Sequence, residues 1–239
     1  MVLAAGADPD NEGGPDSGAN RTLQAYHDLR ALILSGHYEP DSRLTESGLT
    51  TQLQVSRGTI RSVLARLAQE GYVTTEANRS ARTRSFSVDE AIEILETRAV
   101  LESALAAKAA ERATEADIAA MTETCKRMWD LQVPGGREEY WNLNRKFHEQ
   151  VKRAARQATL TRFVDSLLYP LVMQQYRDAD RRANPRTDSV REHEAILAAI
   201  VTHNPESAAA AMRHHLSSAR RALQLNFPTS DDQRDLRKG

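Results

Sequence analysis

Residues 55–71, VSRGTIRSVLARLAQEG, constrain most tightly what this chain can fold into. Arg57 and Arg61 stand four residues apart near the start of a helical pattern, and Val63, Leu64 and Leu67 supply an apolar stripe on the other side. Ser56 precedes the pattern as an N-cap, a hydroxyl able to accept from a free N–H of the first turn. Gly71 closes it, where a left-handed residue costs least. A short helix with an apolar back and arginines at its N-terminal end fits the DNA major groove.

The flanking segments make this helix part of a larger unit. Over residues 22–34, Leu23, Tyr26, Leu29, Leu32 and Ile33 recur at helical spacing, and Gly36 ends the run. HYEPDSR is a turn-rich connector. Thr45 can cap a second short helix, TESGLTTQL, which Gly48 weakens by roughly 1 kcal/mol relative to Ala. Gln54 and Val55 make a tight turn into the arginine helix. After Gly71, YVTTE and TRSFSV read as two strands around ANRSA. Three helices followed by a hairpin make a winged helix-turn-helix.

Charge fits one docking surface. The 239-residue chain carries a net charge of −1, yet Arg57, Arg61, Arg66, Arg79, Arg82 and Arg84 crowd a segment that holds only Glu70 and Glu76 as acids. Arginine's planar fork suits guanine edges and phosphates. On charge alone the patch reads equally well as a solvated basic face. No apolar run reaches the ~18 residues of a membrane span, so no membrane partner is expected. The acidic, Gly- and Pro-rich N-terminus lacks a basic leader region, and Cys125 is the single cysteine. Both point to the cytoplasm.

From Val88 onward helix follows helix, near 88–111, 115–131, 137–155, 157–181, 188–203 and 205–226. Pro170 should kink or split the fourth. The expected organisation is a disordered tail at 1–20, a winged helix-turn-helix at 21–86, an all-helical ligand-binding and dimerisation domain at 87–227, and a flexible tail at 228–239. The fold class is mainly α.

Polar residues interrupt the apolar stripes of the helical part. Tyr140, Asn144, Phe147, His148 and Val151 share one face, as do Val190, His193, Leu197 and Ile200, and as do Ala208, Met212, His215, Ala219 and Ala222. Three histidines and one carboxamide thus point inward from three helices. A shared divalent transition metal would satisfy them together, and a polar effector pocket held by hydrogen bonds would serve as well. His214, turned by about 100° from His215, faces solvent. Glu192 and Glu194 should point away from the His193 face. Arg98 and Glu102 lie on the buried stripe of their helix, either as an i,i+4 ion pair or with Arg98 as a fork for an effector carboxylate. Arg177 is a second candidate for that role, with a solvated surface position as its alternative.

The segment LRALILSGHYEPDSRLTESGLTTQLQVSRGTIRSVLARLAQEGYVTTE closely resembles the N-terminal domain of GntR-family bacterial transcription regulators. The helical part resembles the FCD effector domain of the FadR subfamily, with six or seven helices, and the six counted here favour its VanR-like branch. The resemblance implies that Arg57, Thr59 and Arg61 face the major groove, that Arg43 and Ser56 contact phosphates, and that the wing, including Asn78, Arg79 and Arg82, lies in or beside the minor groove. Asp41, Ser47 and Ser80 depart from the family pattern, at a turn glycine, a DNA-contacting arginine and a wing glycine respectively.

In many FCD domains a metal is held by D-x-x-x-H, by an E-H pair and by M-x-x-H. The corresponding residues are Asn144-Arg-Lys-Phe-His148, Glu192-His193 and Met212-Arg-His-His215. The resemblance therefore implies Zn or Ni bound by Asn144, His148, His193 and His215, with Asn144 a weaker ligand than the usual aspartate. It also implies a small carboxylate effector bound by Arg98 near the same residues. The function expected is that of a homodimeric, ligand-responsive repressor of a palindromic double-stranded operator, and not an enzyme. The alternatives are a metal-dependent enzyme centred on the histidines, disfavoured by the lack of a catalytic motif or a paired acid, and an architectural DNA binder.

Overall fold

A computed structural model describes residues 15–76, 80–131, 137–176 and 186–227. The chain divides into two units, Met1–Ser85 and Phe86–Gly239.

The first unit comprises α1 (Pro15–Ser35), β1 (Arg43–Thr45), α2 (Glu46–Leu53), α3 (Arg57–Gln69), β2 (Val73–Glu76) and β3 (Ser80–Thr83). Its core joins Leu29 and Ile33 of α1 to Ile60, Val63 and Leu67 of α3, all essentially inaccessible to solvent. Local chemistry sets the helix ends. Thr45 accepts from the Gly48 N–H and Ser56 from the Thr59 N–H, each satisfying an otherwise free donor of the first turn. Gly71 takes the left-handed conformation, φ 81°, just past the end of α3. α1 starts at Pro15, earlier than its apolar periodicity begins. Proline suits a first turn because its missing N–H is not needed there, and residues 18–21 are exposed, so no stripe marks this extension.

The sheet differs from the hairpin expected. Its order is β1-β3-β2, antiparallel throughout, with Leu44 opposite Ala81 and Thr75 opposite the same alanine. The second wing strand is Ser80–Thr83, ahead of the TRSFSV segment assigned from β propensity. Long-range pairing decides this. β3 is flanked on both sides, so Ser80, Ala81 and Thr83 are buried, and the Thr83 hydroxyl donates to the Glu39 carbonyl (2.6 Å) while accepting from the Ser42 N–H (2.8 Å).

The second unit is helical: α4 (Val88–Arg112), α5 (Glu115–Asp130), α6 (Arg137–Ala155), α7 (Ala158–Ser166), α8 (Tyr169–Gln175), α9 (Arg186–Val201) and α10 (Pro205–Asn226). Among the described residues that makes seven helices, so the six-helix count that favoured the VanR-like branch does not hold. The additional helix arises where the stretch around Pro170 breaks. Leu168 turns left-handed, φ 53°, and the proline falls in the first turn of α8. α4 packs against α6, α7, α9 and α10, which makes it the central helix. Leu105, Met121, Met128, Phe147, Ile196, Ile200 and Met212 form the fully buried heart of this core.

Candidate functional site

In the first unit, Ser56, Arg57, Thr59 and Arg61 come together on the N-terminal turns of α3. Arg57 and Arg61 are exposed. The Thr59 hydroxyl lies 2.9 Å from that of Ser56, so the cap and the threonine form one pair. Arg61 donates from Nε to Glu46 Oε1 at 2.9 Å, an ion pair that raises its pKa and holds the guanidinium against the start of α2. Glu46 is the residue that sequence reasoning missed here. Its only local signal is an acid directly after the Thr45 cap.

Arg43 is exposed on β1 opposite Arg82 of β3. Arg82 is folded back: Nη1 donates to the Asp41 carbonyl at 2.7 Å and lies 3.6 Å from its carboxylate. Asp41 has φ 61°, so the turn does demand the left-handed conformation for which glycine is usual, and Asp is among the few other residues that tolerate it. Asn78 and Arg79 lie outside the described residues.

In the second unit, His148 from α6, His193 from α9 and His215 from α10 converge. One ring nitrogen from each lies within 4.8 Å of the others, and all three residues are buried. Each ring is oriented through Nδ1. His148 Nδ1 is 2.6 Å from Glu102 Oε2, His193 Nδ1 is 2.6 Å from the Ser189 carbonyl, and His215 Nδ1 is 2.9 Å from Glu192 Oε2. A carbonyl or an ionised carboxylate only accepts, so each Nδ1 carries the proton and each Nε2 presents a lone pair.

The electrostatics agree. Burial pushes the Glu102 carboxyl up, but Arg98 and His148 outweigh it and hold the group well below the usual carboxylate range. The Glu192 carboxyl is likewise driven up by burial and brought down on balance by its bonds to His215 and Ser218. Burial lowers His148 to about 4 despite Glu102. It lowers His193 well below its ordinary value too, helped by the neighbouring His215 and His148. Neutral imidazoles with free Nε2 lone pairs are what a metal centre requires.

Three polar atoms at this place are buried without a hydrogen-bond partner: His193 Nε2, Asn144 Oδ1 and Arg98 Nη1. His148 Nε2 and His215 Nε2 face each other at 3.3 Å. Leaving such groups unsatisfied costs about 1–3 kcal/mol each, and one cation among the three Nε2 atoms would satisfy the imidazoles and give the amide oxygen a partner. The donor set fits a divalent transition metal.

Arg98 makes the i,i+4 ion pair open to it from sequence and leaves part of its fork unpaired. Nε donates to Glu102 Oε1 at 2.5 Å, its guanidinium carbon lies 3.5 Å from the centroid of the Tyr169 ring, and Nη1 stays free. Glu102 therefore bridges Arg98 and His148, one oxygen to each. Glu192 is a correction. It does not point away from the cluster but reaches across to α10 and orients His215, with exposed His214 3.6 Å from its other oxygen. Arg177 lies outside the described residues.

Arg98, Asn144, His148 and His215 line a cavity of about 100 Å³, whose remaining wall includes Leu95, Trp141, Tyr169, Val172, Met173, Ala219, Ala222 and Leu223. The site is thus a polar corner joined to a largely apolar chamber.

Comparison with known proteins matches each of the two units to a family. Residues 21–82 match the model of the bacterial regulatory proteins of the gntR family, and residues 93–218 match that of the FCD domain. The Nta operon transcriptional regulator of Aminobacter aminovorans is 30% identical over 137 residues, which span 57% of this chain and 64% of that protein. The HTH-type transcriptional repressor GlaR of Escherichia coli K12 is 24% identical over 202 residues, 82% of this chain and 92% of the relative. Among solved structures, E. coli McbR/YncC superposes with a TM-score of 0.72 at 22% identity, covering 86% of this chain and 97% of that one, a likeness of fold. With both halves matched in the order that its two units take, the chain belongs to the FCD-domain regulators of the gntR family.

Proposed function

We propose that this chain is a metal-dependent, effector-controlled transcription repressor acting in the cytoplasm as a homodimer on a palindromic operator. The observation that carries the effector half is the convergence of three Nδ1-anchored imidazoles on a point where His193 Nε2, Asn144 Oδ1 and Arg98 Nη1 lack partners. His148, His193 and His215 would hold Zn or Ni, with Asn144 as a neutral fourth donor. The ion would supply a Lewis-acidic position for an anionic ligand. Arg98, already fixed by Glu102 and Tyr169, offers its remaining N–H groups to the carboxylate of a small effector.

In the DNA-binding half, Arg57, Thr59 and Arg61 read base edges while Arg43 and Ser56 grip phosphate. The sense of regulation follows the name of the GlaR relative, a repressor. A two-fold dimer doubles the contacts that one head can make and explains why a palindrome would be the target. No observation favours the metalloenzyme. Glu102 and Glu192 are occupied in orienting imidazoles, which leaves neither as a general base.

Two measurements test these halves separately. Chelator-stripped protein should take up one equivalent of Zn or Ni by elemental analysis, and a triple His148→Ala/His193→Ala/His215→Ala variant should take up none. Absence of uptake by the wild type would remove the metal from the mechanism. In a gel shift with operator DNA, Arg57→Ala/Arg61→Ala should lose about 1–3 kcal/mol of specific binding per arginine. Unchanged specificity in the folded variant would overturn the assignment of α3.

A further inference from the structure

The cavity beside the histidines is graded along its length, and from this grading we infer that the effector is a monocarboxylate with a short apolar body. This rests on the reading of the second unit as the effector-binding part and gives that effector a chemical class. α4 and α10 run antiparallel, with Arg220 Nη1 on α10 bound to Glu96 Oε1 on α4 at 2.5 Å. Moving from His215 toward the C-terminal end of α10 brings Ala219, Ala222 and Leu223 onto the wall. Moving from Arg98 toward the N-terminal end of α4 brings Leu95, and α8 adds Val172 and Met173. Arg98, Asn144, Ser189, Glu192 and the histidines gather at one end; the other carries hydrocarbon and the ring of Tyr176, whose hydroxyl donates to the Phe86 carbonyl.

The charge inventory limits the ligand further. Arg98 is the only lysine or arginine on this wall among the described residues, and its Nε is committed to Glu102. One carboxylate can therefore bridge Arg98 and the proposed metal position, the two cationic points of the cavity, which lie together at its polar end. A second would lie among Leu, Val, Met and Ala side chains with no cation to meet it. Hydroxyls along the ligand's body would face those same side chains and cost about tenfold or more each. Added methylenes should instead tighten binding by about fourfold each. The cavity of about 100 Å³ is smaller than the ~150 Å³ that accommodates benzene, so the gain ends after a few carbons.

The test uses the full chain loaded with zinc and follows the fluorescence of Trp141, which lines the cavity, with calorimetry beside it. Acetate, propionate, butyrate and valerate are titrated, then 4-hydroxybutyrate, succinate and gluconate. Affinity should climb about fourfold per methylene up to the point where the cavity is full, and the hydroxylated and doubly charged acids should bind more weakly than butyrate. Met173→Gln, of nearly equal volume, should weaken valerate and leave acetate unchanged. A flat series in which acetate still depends on Arg98, or tighter binding of succinate or gluconate, would overturn the apolar body and leave the carboxylate site standing. No binding by any of these acids, or binding indifferent to both Arg98→Lys and Arg98→Ala, would overturn the effector site itself.

Discussion

At the scale of single residues, the proposed metal centre turns on the neutrality of Asn144. Burial holds His148 and His193 neutral, Arg98 balances Glu102, and among the described residues Glu192 is the acid at the cluster left without a cation of fixed charge. An amide oxygen in the fourth position adds no charge to meet a dication. Asn144→Asp should therefore tighten Zn binding, by about tenfold or more, the range over which changes in a metal's surroundings act. Competition against a chelating dye measures it, and equal affinity in the two proteins would place Asn144 outside the ligand set. Glu102→Gln should act in the opposite direction. It removes the ionised acceptor shared by His148 and Arg98, and Zn affinity should fall about 10–100-fold.

Most of this cluster was legible because helical spacing fixes which Cα atoms share a face, and His148, His193, His215, Asn144 and Arg98 all interrupt apolar stripes. Glu192 was not. A helical wheel gives the direction in which a side chain leaves its helix, whereas Glu192 is long enough to cross to His215 on α10. The bond that Arg82 makes was hidden for a related reason. A basic residue in a wing suggests DNA, and sequence spacing gives no sign of its bond to the backbone carbonyl of Asp41, forty-one positions earlier in the chain.

At the scale of elements, the helices followed from caps and periodicity, and the strands did not. α5 shows how local the helix code is: the Thr114 hydroxyl accepts from the Asp117 N–H, and Asp117 accepts from the Thr114 N–H in return, which closes a capping box. β1 and β3 carry only three and four residues, and their pairing joins Arg43 to Arg82 across α2, α3 and β2, so no short window contains the signal. Asp117 also accepts from Arg156 Nη2 at 2.8 Å, tying the start of α5 to the residue just beyond α6.

The bonds from Thr114, and then Arg156, lower the Asp117 carboxyl from 3.8 to about 2. A depressed acid stabilises the fold above its unfolded value and loses that contribution as pH falls toward the folded one. Asp117→Ala should thus cost about 1 kcal/mol near neutral pH, as the loss of a cap does. The gap between variant and wild type in urea denaturation should narrow as pH falls from about 4 toward about 2. A gap independent of pH would mean that the carboxylate's charge contributes nothing.

At the scale of the whole molecule, the question is how a filled cavity alters operator binding. α8 touches both the cavity and the residue that begins the second unit. Tyr169 at its start stacks on Arg98, and Val172 and Met173 line the cavity. At its other end Gln175 makes a two-way bond with the backbone of Phe86, Oε1 accepting from the N–H at 2.9 Å and Nε2 donating to the carbonyl at 2.6 Å, while the Tyr176 hydroxyl donates to that carbonyl at 2.7 Å. Phe86 is the first residue of the second unit and follows the DNA-binding unit directly in the chain. A ligand that shifts α8 through Arg98 and Tyr169 would act on the backbone that leads to the DNA-binding unit.

Such coupling is a free energy shared by two binding events, and it is reciprocal: whatever factor the effector imposes on operator affinity, the operator imposes on effector affinity. Valerate or another bound carboxylate should weaken operator binding by about 5–150-fold if the coupling lies in the usual range, and saturating operator DNA should weaken the carboxylate by the same factor. Gln175→Ala/Tyr176→Phe removes the bonds to Phe86 and leaves Arg98, the histidines and α3 untouched. In that variant each affinity measured alone should match the wild type while the coupling factor falls toward one. Retention of the full factor would take α8 out of the connection. Loss of carboxylate binding itself would show that these bonds shape the cavity rather than transmit its occupancy.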